Sequence, residues 1–236
     1  MLRASDKPFF QEQIERYGIK MGICYIIGAG EFGDGIPCPL ETDMVIACDG
    51  GFQYCKEKKI RIDMVVGDFD SLDHVPEHSN VIRLNPVKDE TDTGWAIKEA
   101  WKRGYREFVI YGGTGGRISH TIANIQLLAD IAEKGGHGVL VGRDSWYRVI
   151  HNEEICFGAE EEGFLSVFCL GDQAEGVYEE GLKYELNDWT LKKEEPLGVS
   201  NEFIGKESKV SVRSGTLLLI WERRNPVNIY CCNMEG

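Results

Sequence analysis

The chain has 236 residues, 42% of them hydrophobic, which is enough for one large domain or two small ones with an apolar core. Its formal net charge of −13 argues against a surface that binds nucleic acid or anionic membranes, since both need a positive field. A nucleotide substrate is still compatible with this charge, because bound Mg²⁺ and local Lys or Arg side chains can neutralise phosphates.

Cysteine usage and hydropathy predict the compartment in which the chain works. The eight cysteines form no Cys-x-x-Cys pair, which argues against a zinc site, and most lie in apolar runs typical of buried thiols in a reducing compartment. The sequence shows no signal peptide and no apolar run of about 18 residues. Together these features predict a soluble, cytoplasmic protein that binds neither a membrane nor nucleic acid.

The first predicted strand is followed by a glycine pattern known from dinucleotide-binding sites. A short amphipathic helix is predicted over residues 7–17 and a buried strand over residues 22–27. Residues 28–33 then match Gly-x-Gly-x-x-Gly. That fingerprint requires a helix to begin at once, whereas residues 34–39 contain two prolines and a glycine and predict a loop. A nicotinamide-dependent oxidoreductase is therefore a distant alternative.

Acidic residues follow the next two predicted strands. A strand over residues 44–47 leads through Asp49, Gly50 and Gly51 into a helix that ends near Lys59, and the glycines would let backbone N–H groups approach a ligand closely. The strand over residues 62–67 is followed by Asp68 and Asp70, whose side chains would point the same way. Like charges this close repel each other unless a cation lies between them or one is protonated.

A second acidic cluster occupies residues 88–92, after a short predicted strand over residues 80–84. Oxygen-only ligands of this kind suit Mg²⁺, which usually also binds substrate phosphates. Thr91 or Asp92 can cap a helix that runs through Arg103, and a carboxylate at that position can cap and bind metal at once. A solvated turn followed by a plain helix cap is the alternative interpretation of the two clusters.

A glycine-rich loop over residues 112–117 separates a predicted strand over residues 106–111 from a predicted helix over residues 119–134. Glycines between a strand and a helix are typical of an anion-binding loop, and Arg117 adds a cationic fork suited to phosphate oxygens. His120 lies on the first turn of the helix, where it is either a structural residue or a catalytic base.

The alternation of strands and helices predicts an α/β fold with a doubly wound, mostly parallel sheet, which ends with a strand over residues 137–141. Ligands of such sheets bind beyond the carboxyl ends of the strands, where the acidic residues and the glycine loop fall. After about residue 145 the pattern changes to short strands of a smaller antiparallel β domain. These strands cover residues 147–150, 164–170, 176–178, 209–213 and 216–221.

In their order along the chain, these motifs resemble the thiamine pyrophosphokinase (thiamin diphosphokinase) family. The matching segments are Asp-Gly-Gly at 49–51, Gly-Asp-Phe-Asp-Ser at 67–71, Lys-Asp-x-Thr-Asp at 88–92 and Gly-Gly-x-Gly-Gly-Arg at 112–117. Segments 120–124, 181–184 and 198–202 resemble the bacterial branch of the family. The resemblance covers nearly the whole chain, from about Ile23 to Ile220.

The resemblance implies two domains and a reaction. An α/β catalytic domain over residues 1–148 would bind nucleotide and Mg²⁺, and a β-sandwich domain over residues 149–236 would bind thiamine and dimerise. The family further implies a homodimer whose active sites lie between the N-terminal domain of one subunit and the C-terminal domain of the other. The reaction would transfer pyrophosphate from ATP to thiamine and release AMP.

Residue patterns and resemblance together assign site residues. The resemblance implies that Mg²⁺ is held by Asp49, Asp68, Asp70 and Asp92. Catalysis is assigned to Asp68, Asp70, Asp92 and Arg117. Nucleotide binding is assigned to Gly50, Gly51, Asp89, Thr91, Gly112, Gly113, Gly115, Gly116, Arg117 and His120. Substrate binding is assigned to Ser119, Ser200 and Asn201, the last two near the thiamine pyrimidine by the family pattern.

One departure from the family pattern keeps other activities open. The family usually has Asp where this chain has Ser119, and a hydroxyl cannot supply the negative charge of a carboxylate. A Mg²⁺-dependent nucleotide hydrolase or a kinase for another small alcohol is therefore the main alternative. A non-catalytic regulator that binds nucleotide or thiamine is a further one, against which the set of aspartates argues.

Overall fold

The computed structural model describes residues 22–33, 35–69, 76–85 and 90–222. Within these ranges the chain forms two compact units: residues 22–29 and 33–107 belong to the first, and residues 30–32 and 108–222 to the second. The helix predicted over residues 7–17 lies outside the described residues, and so do Asp70 and Asp89.

The first unit is built on parallel strands. Its elements are β1 (Ile23–Ile27), β2 (Met44–Cys48), α1 (Gly51–Lys58), β3 (Met64–Gly67), β4 (Val81–Arg83) and α2 (Asp92–Lys102). The strands are hydrogen-bonded in the order β1-β2-β3-β4, and each neighbouring pair is parallel. Every residue of β1, β2 and β3 is buried, as expected for apolar strands in a parallel sheet covered by helices. The carboxyl ends of β2 and β3 therefore lie side by side.

The second unit combines a short α/β segment with antiparallel strands. Its elements are β5 (Glu107–Tyr111), α3 (Ile118–Glu133), β6 (His137–Val141), β7 (Ser145–His151), β8 (Glu154–Phe157), β9 (Phe164–Cys169), β10 (Gln173–Glu180), β11 (Leu186–Lys192), β12 (Asn201–Glu202), β13 (Ser208–Ser214) and β14 (Thr216–Glu222). One run of strands has the order β12-β9-β14-β7-β6-β5, and a separate antiparallel sheet has the order β11-β10-β13-β8.

Aromatic side chains join the two sheets of the second unit. Phe157 on β8 packs edge-on against Trp221 on β14, with ring centroids 5.5 Å apart. Phe157 also contacts Phe203, and Trp221 contacts Trp146. All four rings are buried, so they form a sandwich core of the kind in which tilted and edge-to-face pairs are favoured.

The predicted fold class is confirmed, since parallel strands come first and an antiparallel sandwich follows. The predicted strand over residues 137–141 agrees with the structure, and the helix predicted after a cap at Thr91 or Asp92 is capped by Thr91 and runs from Asp92 to Lys102. Three strands were missed: β8, β11 and β12. Most of β11 is exposed, so it lacks the alternation of apolar and polar residues that predicts a strand, and β12 has only two residues.

Two further observations concern the helices and the cysteines. None of the helices within the described ranges is long and apolar enough to cross a bilayer. Among the cysteines in those ranges, Cys24, Cys48 and Cys55 are buried, as predicted from their apolar surroundings, whereas Cys38, Cys156 and Cys169 are partly buried.

Candidate active site

Asp49 lies in the first unit, at the turn from β2 into α1. Its φ of 46° is in the left-handed region, its backbone N–H donates to the Val66 carbonyl oxygen (2.9 Å), and its own carbonyl oxygen accepts from the Phe52 N–H (3.1 Å). A Cβ on Gly51 would lie 1.9 Å from the Ile27 carbonyl oxygen, so α1 can start against the end of β1 only with glycine there. Packing alone thus requires Gly51, and the predicted nucleotide contacts of Gly50 and Gly51 stay predictions.

The Asp49 carboxyl group packs against the end of β3. A Cβ on Gly67 would lie 1.9 Å from Asp49 Oδ1, so the glycine makes room for the carboxyl group. Oδ1 is buried and receives no hydrogen bond from the residues that the structure describes. Burial raises the pKa of Asp49 to about 7, and a hydrogen bond shared with Asp92 and the negative charges of Asp92 and Asp68 act in the same direction.

Asp92 reaches this position from the N-terminus of α2. Thr91 is the N-cap residue, and its Oγ1 accepts a hydrogen bond from the Gly94 N–H at 3.1 Å. Asp92 is the first residue of the helix, where its charge is favoured by the helix dipole. The structure therefore brings Asp49 and Asp92 into contact and Asp68 into their electrostatic range. Asp70 and Asp89 cannot be placed, because they lie outside the described residues.

The carboxyl groups that can be described fit a magnesium ion. Within residues 22–33, 35–69, 76–85 and 90–222, no three His, Cys, Asp or Glu side chains converge as a metal site. Mg²⁺, however, is usually held by only one or two carboxylates together with water and substrate phosphates. The contact between Asp49 and Asp92 supplies such a pair. No described residue offers the buried Oδ1 of Asp49 a hydrogen bond, and a cation would provide the partner.

The glycine loop lies in the second unit, between β5 and α3. Gly112, Gly115 and Gly116 have φ values of 61°, 77° and 58°, which only glycine adopts without strain. A Cβ on Gly113 would lie 2.6 Å from Leu140 Cδ1. Such a loop can turn several backbone N–H groups toward an anion, and the predicted nucleotide contacts of its glycines stay predictions.

The first turns of α3 carry the other predicted residues of this loop. Arg117 is the N-cap residue without a side-chain cap bond, and its side chain is exposed. Ser119 and His120 are also exposed. Asn124, a buried residue of the same helix, donates from Nδ2 to the Gly113 carbonyl oxygen at 2.8 Å. Asn124 belongs to one of the family-like segments, but its role in holding the loop was not predicted.

Asn201 is buried in the second unit and has no free polar atom. Its Nδ2 donates to Glu179 Oε2 (2.7 Å) and to the Tyr184 carbonyl oxygen (2.6 Å). Its Oδ1 accepts from the backbone N–H groups of Tyr184 (3.0 Å) and Glu202 (2.9 Å). In this arrangement Asn201 holds the loop before β11 against β12. Ser200, by contrast, is exposed, with φ at 60° and its N–H donating to Ser166 Oγ (3.0 Å).

Glu179 is a further residue of this region that sequence reasoning missed. It is 1% exposed, and its Oε1 has no hydrogen-bond partner among the described residues. Burial raises the pKa of Glu179 to about 7, although the hydrogen bond from Asn201 acts in the opposite direction. No spacing or motif in the sequence marks Glu179. The adjacent Glu180 is exposed and paired with Lys209, so two neighbouring glutamates have opposite environments.

Two family models match the chain. The thiamin pyrophosphokinase catalytic domain matches residues 40–139, and the thiamin pyrophosphokinase vitamin B1 binding domain matches residues 152–217. Together these matches cover more than two thirds of the chain. The chain belongs to the thiamin pyrophosphokinase family. Members of this family are ATP-dependent transferases, so the chain is assigned to that class of enzyme.

Individual relatives agree with the family assignment. The thiamine pyrophosphokinase of Bacillus subtilis is 26% identical over 162 residues, which are 65% of this chain and 75% of that protein. A crystal structure of thiamine pyrophosphokinase from Bacillus subtilis has a TM-score of 0.76 and 24% identity, covering 86% of this chain and 100% of that one. Yeast thiamin pyrophosphokinase has a TM-score of 0.67 at 14% identity, covering 87% of each chain. These two structural likenesses show the shared fold.

The family matches divide the predicted residues between two segments. The segment matched by the thiamin pyrophosphokinase catalytic domain contains the acidic residues and the glycine loop. The segment matched by the vitamin B1 binding domain contains Glu179, Ser200 and Asn201.

Proposed function

We propose that this chain transfers the β,γ-pyrophosphoryl group of ATP to the hydroxyethyl oxygen of thiamine, producing thiamine diphosphate and AMP. The observation that carries the proposal is the contact between the Asp49 and Asp92 carboxyl groups, within a segment that matches the family's catalytic domain. Two carboxyl groups held this close are costly unless a cation or a proton lies between them, and nucleotide chemistry supplies the cation.

The proposed reaction is a displacement at the β-phosphorus. The thiamine hydroxyl oxygen forms a bond to that phosphorus, the bond to the α–β bridging oxygen breaks, and AMP leaves with the electron pair. Asp49, Asp68, Asp70 and Asp92 would hold Mg²⁺, which would supply positive charge to offset the charge that develops on the bridging oxygen. Asp70 or Asp92 accepts the hydroxyl proton.

Phosphate binding is assigned to the glycine loop. Its backbone N–H groups, at Gly112, Gly113, Gly115 and Gly116, and the Arg117 guanidinium would hold the phosphate oxygens. The positive φ values of the loop and the exposure of Arg117 support this assignment. Gly50, Gly51, Asp89, Thr91 and His120 complete the proposed nucleotide site.

Thiamine binding is assigned to the C-terminal domain and to Ser119. Ser200 is exposed and available for direct contact, whereas Asn201 would act by positioning Tyr184 and Ser200, because its own polar atoms are engaged. We place the domain boundary between residues 148 and 149, and the family matches at 40–139 and 152–217 lie on either side of it. We further propose a cytoplasmic homodimer whose sites combine the N-terminal domain of one subunit with the C-terminal domain of the other.

The proposed function is tested by AMP release from ATP and Mg²⁺, with and without thiamine. We expect AMP to form only with thiamine, and we expect Ser119→Asp to change the KM for thiamine more than the KM for ATP. Release of AMP or ADP that is indifferent to thiamine would contradict the proposal. It would favour a nucleotide hydrolase or a kinase for another alcohol, the alternative that Ser119 keeps open.

A further inference from the structure

The segment over residues 30–32 is hydrogen-bonded to the glycine loop, and both belong to the second unit. The Gly30 N–H donates to the Gly112 carbonyl oxygen at 2.7 Å, and the Glu31 N–H donates to the Thr114 carbonyl oxygen at 2.8 Å. A Cβ on Gly30 would lie 2.3 Å from the Thr114 oxygen and 2.6 Å from the Gly112 oxygen, so the approach requires glycine. This packing accounts for a glycine of the Gly-x-Gly-x-x-Gly pattern without a dinucleotide.

The Glu31 side chain lies directly on Gly115. A Cβ built there would be 2.3 Å from Glu31 Cγ and 2.5 Å from its Cδ. The carboxyl group is about half exposed. An acidic side chain therefore covers part of the loop to which the proposed function assigns phosphates, and its charge would repel a polyphosphate.

Arg143 provides the cation that faces Glu31. It follows Gly142 at the end of β6, and a Cβ on Gly142 would lie 3.1 Å from Thr114 Oγ1, so this turn also packs against the glycine loop. Arg143 Nη2 is 3.6 Å from Glu31 Oε2, and both side chains are substantially exposed. A pair that is this long and this exposed contributes little to stability. It can therefore exchange partners at low cost.

We propose, on the basis of the function proposed above, that Arg143 is a further polyphosphate-binding residue and that Glu31 is the anion it releases when nucleotide binds. The planar guanidinium can donate two parallel hydrogen bonds to phosphate oxygens, which are stronger than its long contact with Glu31. Arg143 and Arg117 would then hold the polyphosphate from two elements next to the same loop.

The test measures the dissociation constant of Mg²⁺ and α,β-methylene ATP by calorimetry, because this analogue binds without transferring pyrophosphate. Arg143→Gln should weaken binding about tenfold, since it removes a charge-assisted hydrogen bond. Glu31→Gln keeps the packing on Gly115 and should tighten binding about twofold to threefold, since it removes only an exposed carboxylate. In the Arg143→Gln background, Glu31→Gln should change the dissociation constant less, because Arg143 is no longer present to exchange Glu31 for phosphate.

Matched controls come from a pair in the same unit. Arg213 Nη1 lies 3.2 Å from Asp188 Oδ1, and both side chains are exposed, so Arg213→Gln and Asp188→Asn should leave the dissociation constant unchanged. Arg143→Lys keeps the positive charge but loses the planar guanidinium. Its dissociation constant should lie between those of Arg143→Gln and the unaltered chain.

Equal dissociation constants for the unaltered chain, Arg143→Gln and Glu31→Gln, with unchanged melting curves, would overturn this inference even if thiamine diphosphate is formed. Weaker binding in both variants would also overturn it, because Glu31 would then support the loop and not compete with phosphate. If both shifts are observed but no thiamine diphosphate forms, the inference stands and the proposed reaction fails.

Discussion

Among single residues, Asp49 has an environment that is unfavourable for its charge, although glycine packing and backbone hydrogen bonds fix its position. Its carboxyl group is buried against Gly67 and touches Asp92, and its Oδ1 has no hydrogen-bond partner in the part of the chain that the structure describes. Such an arrangement lowers the stability of the folded protein, so its presence points to a function that uses the charge. Because this environment depends on β2, β3 and α2 together, the sequence indicated the residues but not their contact.

Asp49→Asn should separate function from stability. Asparagine also tolerates the positive φ at this position, so the backbone should be retained. We expect turnover to fall about 100-fold or more, since a proposed ligand of the Mg²⁺ that would neutralise the transferring phosphates is lost. We expect the melting temperature at pH 8 to rise, because the pKa of Asp49 is raised to about 7 and its charge is unfavourable above that pH. Asp188→Asn is the control. Wild-type turnover in Asp49→Asn would show that Asp49 is not part of the active site.

Glu179 should make stability depend on pH. Its pKa of about 7 in the folded protein lies above the ordinary value of 4.5, so the folded state holds a proton that the unfolded state releases. The free energy of unfolding should therefore fall by roughly 3 kcal/mol as the pH rises from about 4.5 to above 7. Urea unfolding at a series of pH values should show a shallower fall for Glu179→Gln than for the unaltered chain. The neighbouring exposed Glu180→Gln should follow the unaltered chain, and parallel profiles for all three proteins would contradict the prediction.

At the scale of elements, the N-terminus of α2 shows how local chemistry positions a site residue. Thr91 Oγ1 accepts from the Gly94 N–H, which fixes the first turn and with it Asp92. Thr91→Ala should lower the free energy of unfolding by about 1 kcal/mol, whereas Thr91→Ser should retain it because the hydroxyl remains. Denaturant unfolding of the three proteins checks this expectation. Equal losses in both variants would mean that the methyl group, and not the cap, carries the effect.

The same elements show how far the sequence predicts structure and where it stops. A helix cap at Thr91 or Asp92 and the buried strands could be predicted, because capping chemistry and apolar runs are local signals. The strand β11 could not, because most of its residues are exposed and it lacks an alternation of apolar and polar residues, although it pairs with β10. The four hydrogen bonds of the Asn201 side chain could not be predicted either, because their partners come from the loop before β11, from β12 and from β10.

At the scale of the whole molecule, the proposed dimer makes a prediction that a monomeric site does not. If each site combines domains of two subunits, a subunit with Asp49→Asn and a subunit with Ser200→Arg should form one intact site in each mixed dimer. Refolding the two inactive variants together should therefore restore about a quarter of the original activity, since half of the dimers are mixed and each has one of two sites. No recovery, with mixed dimers demonstrated by mass spectrometry, would place the whole site in one subunit.

In the proposed reaction, a pyrophosphoryl group moves as one unit from ATP to thiamine. Phosphorus NMR of the protein with ATP, Mg²⁺ and thiamine distinguishes this transfer from other reactions of ATP, because each product has its own resonances. We predict that AMP and thiamine diphosphate appear in equal amounts, without free pyrophosphate. The appearance of ADP with thiamine monophosphate, or of AMP with free pyrophosphate, would contradict the claim.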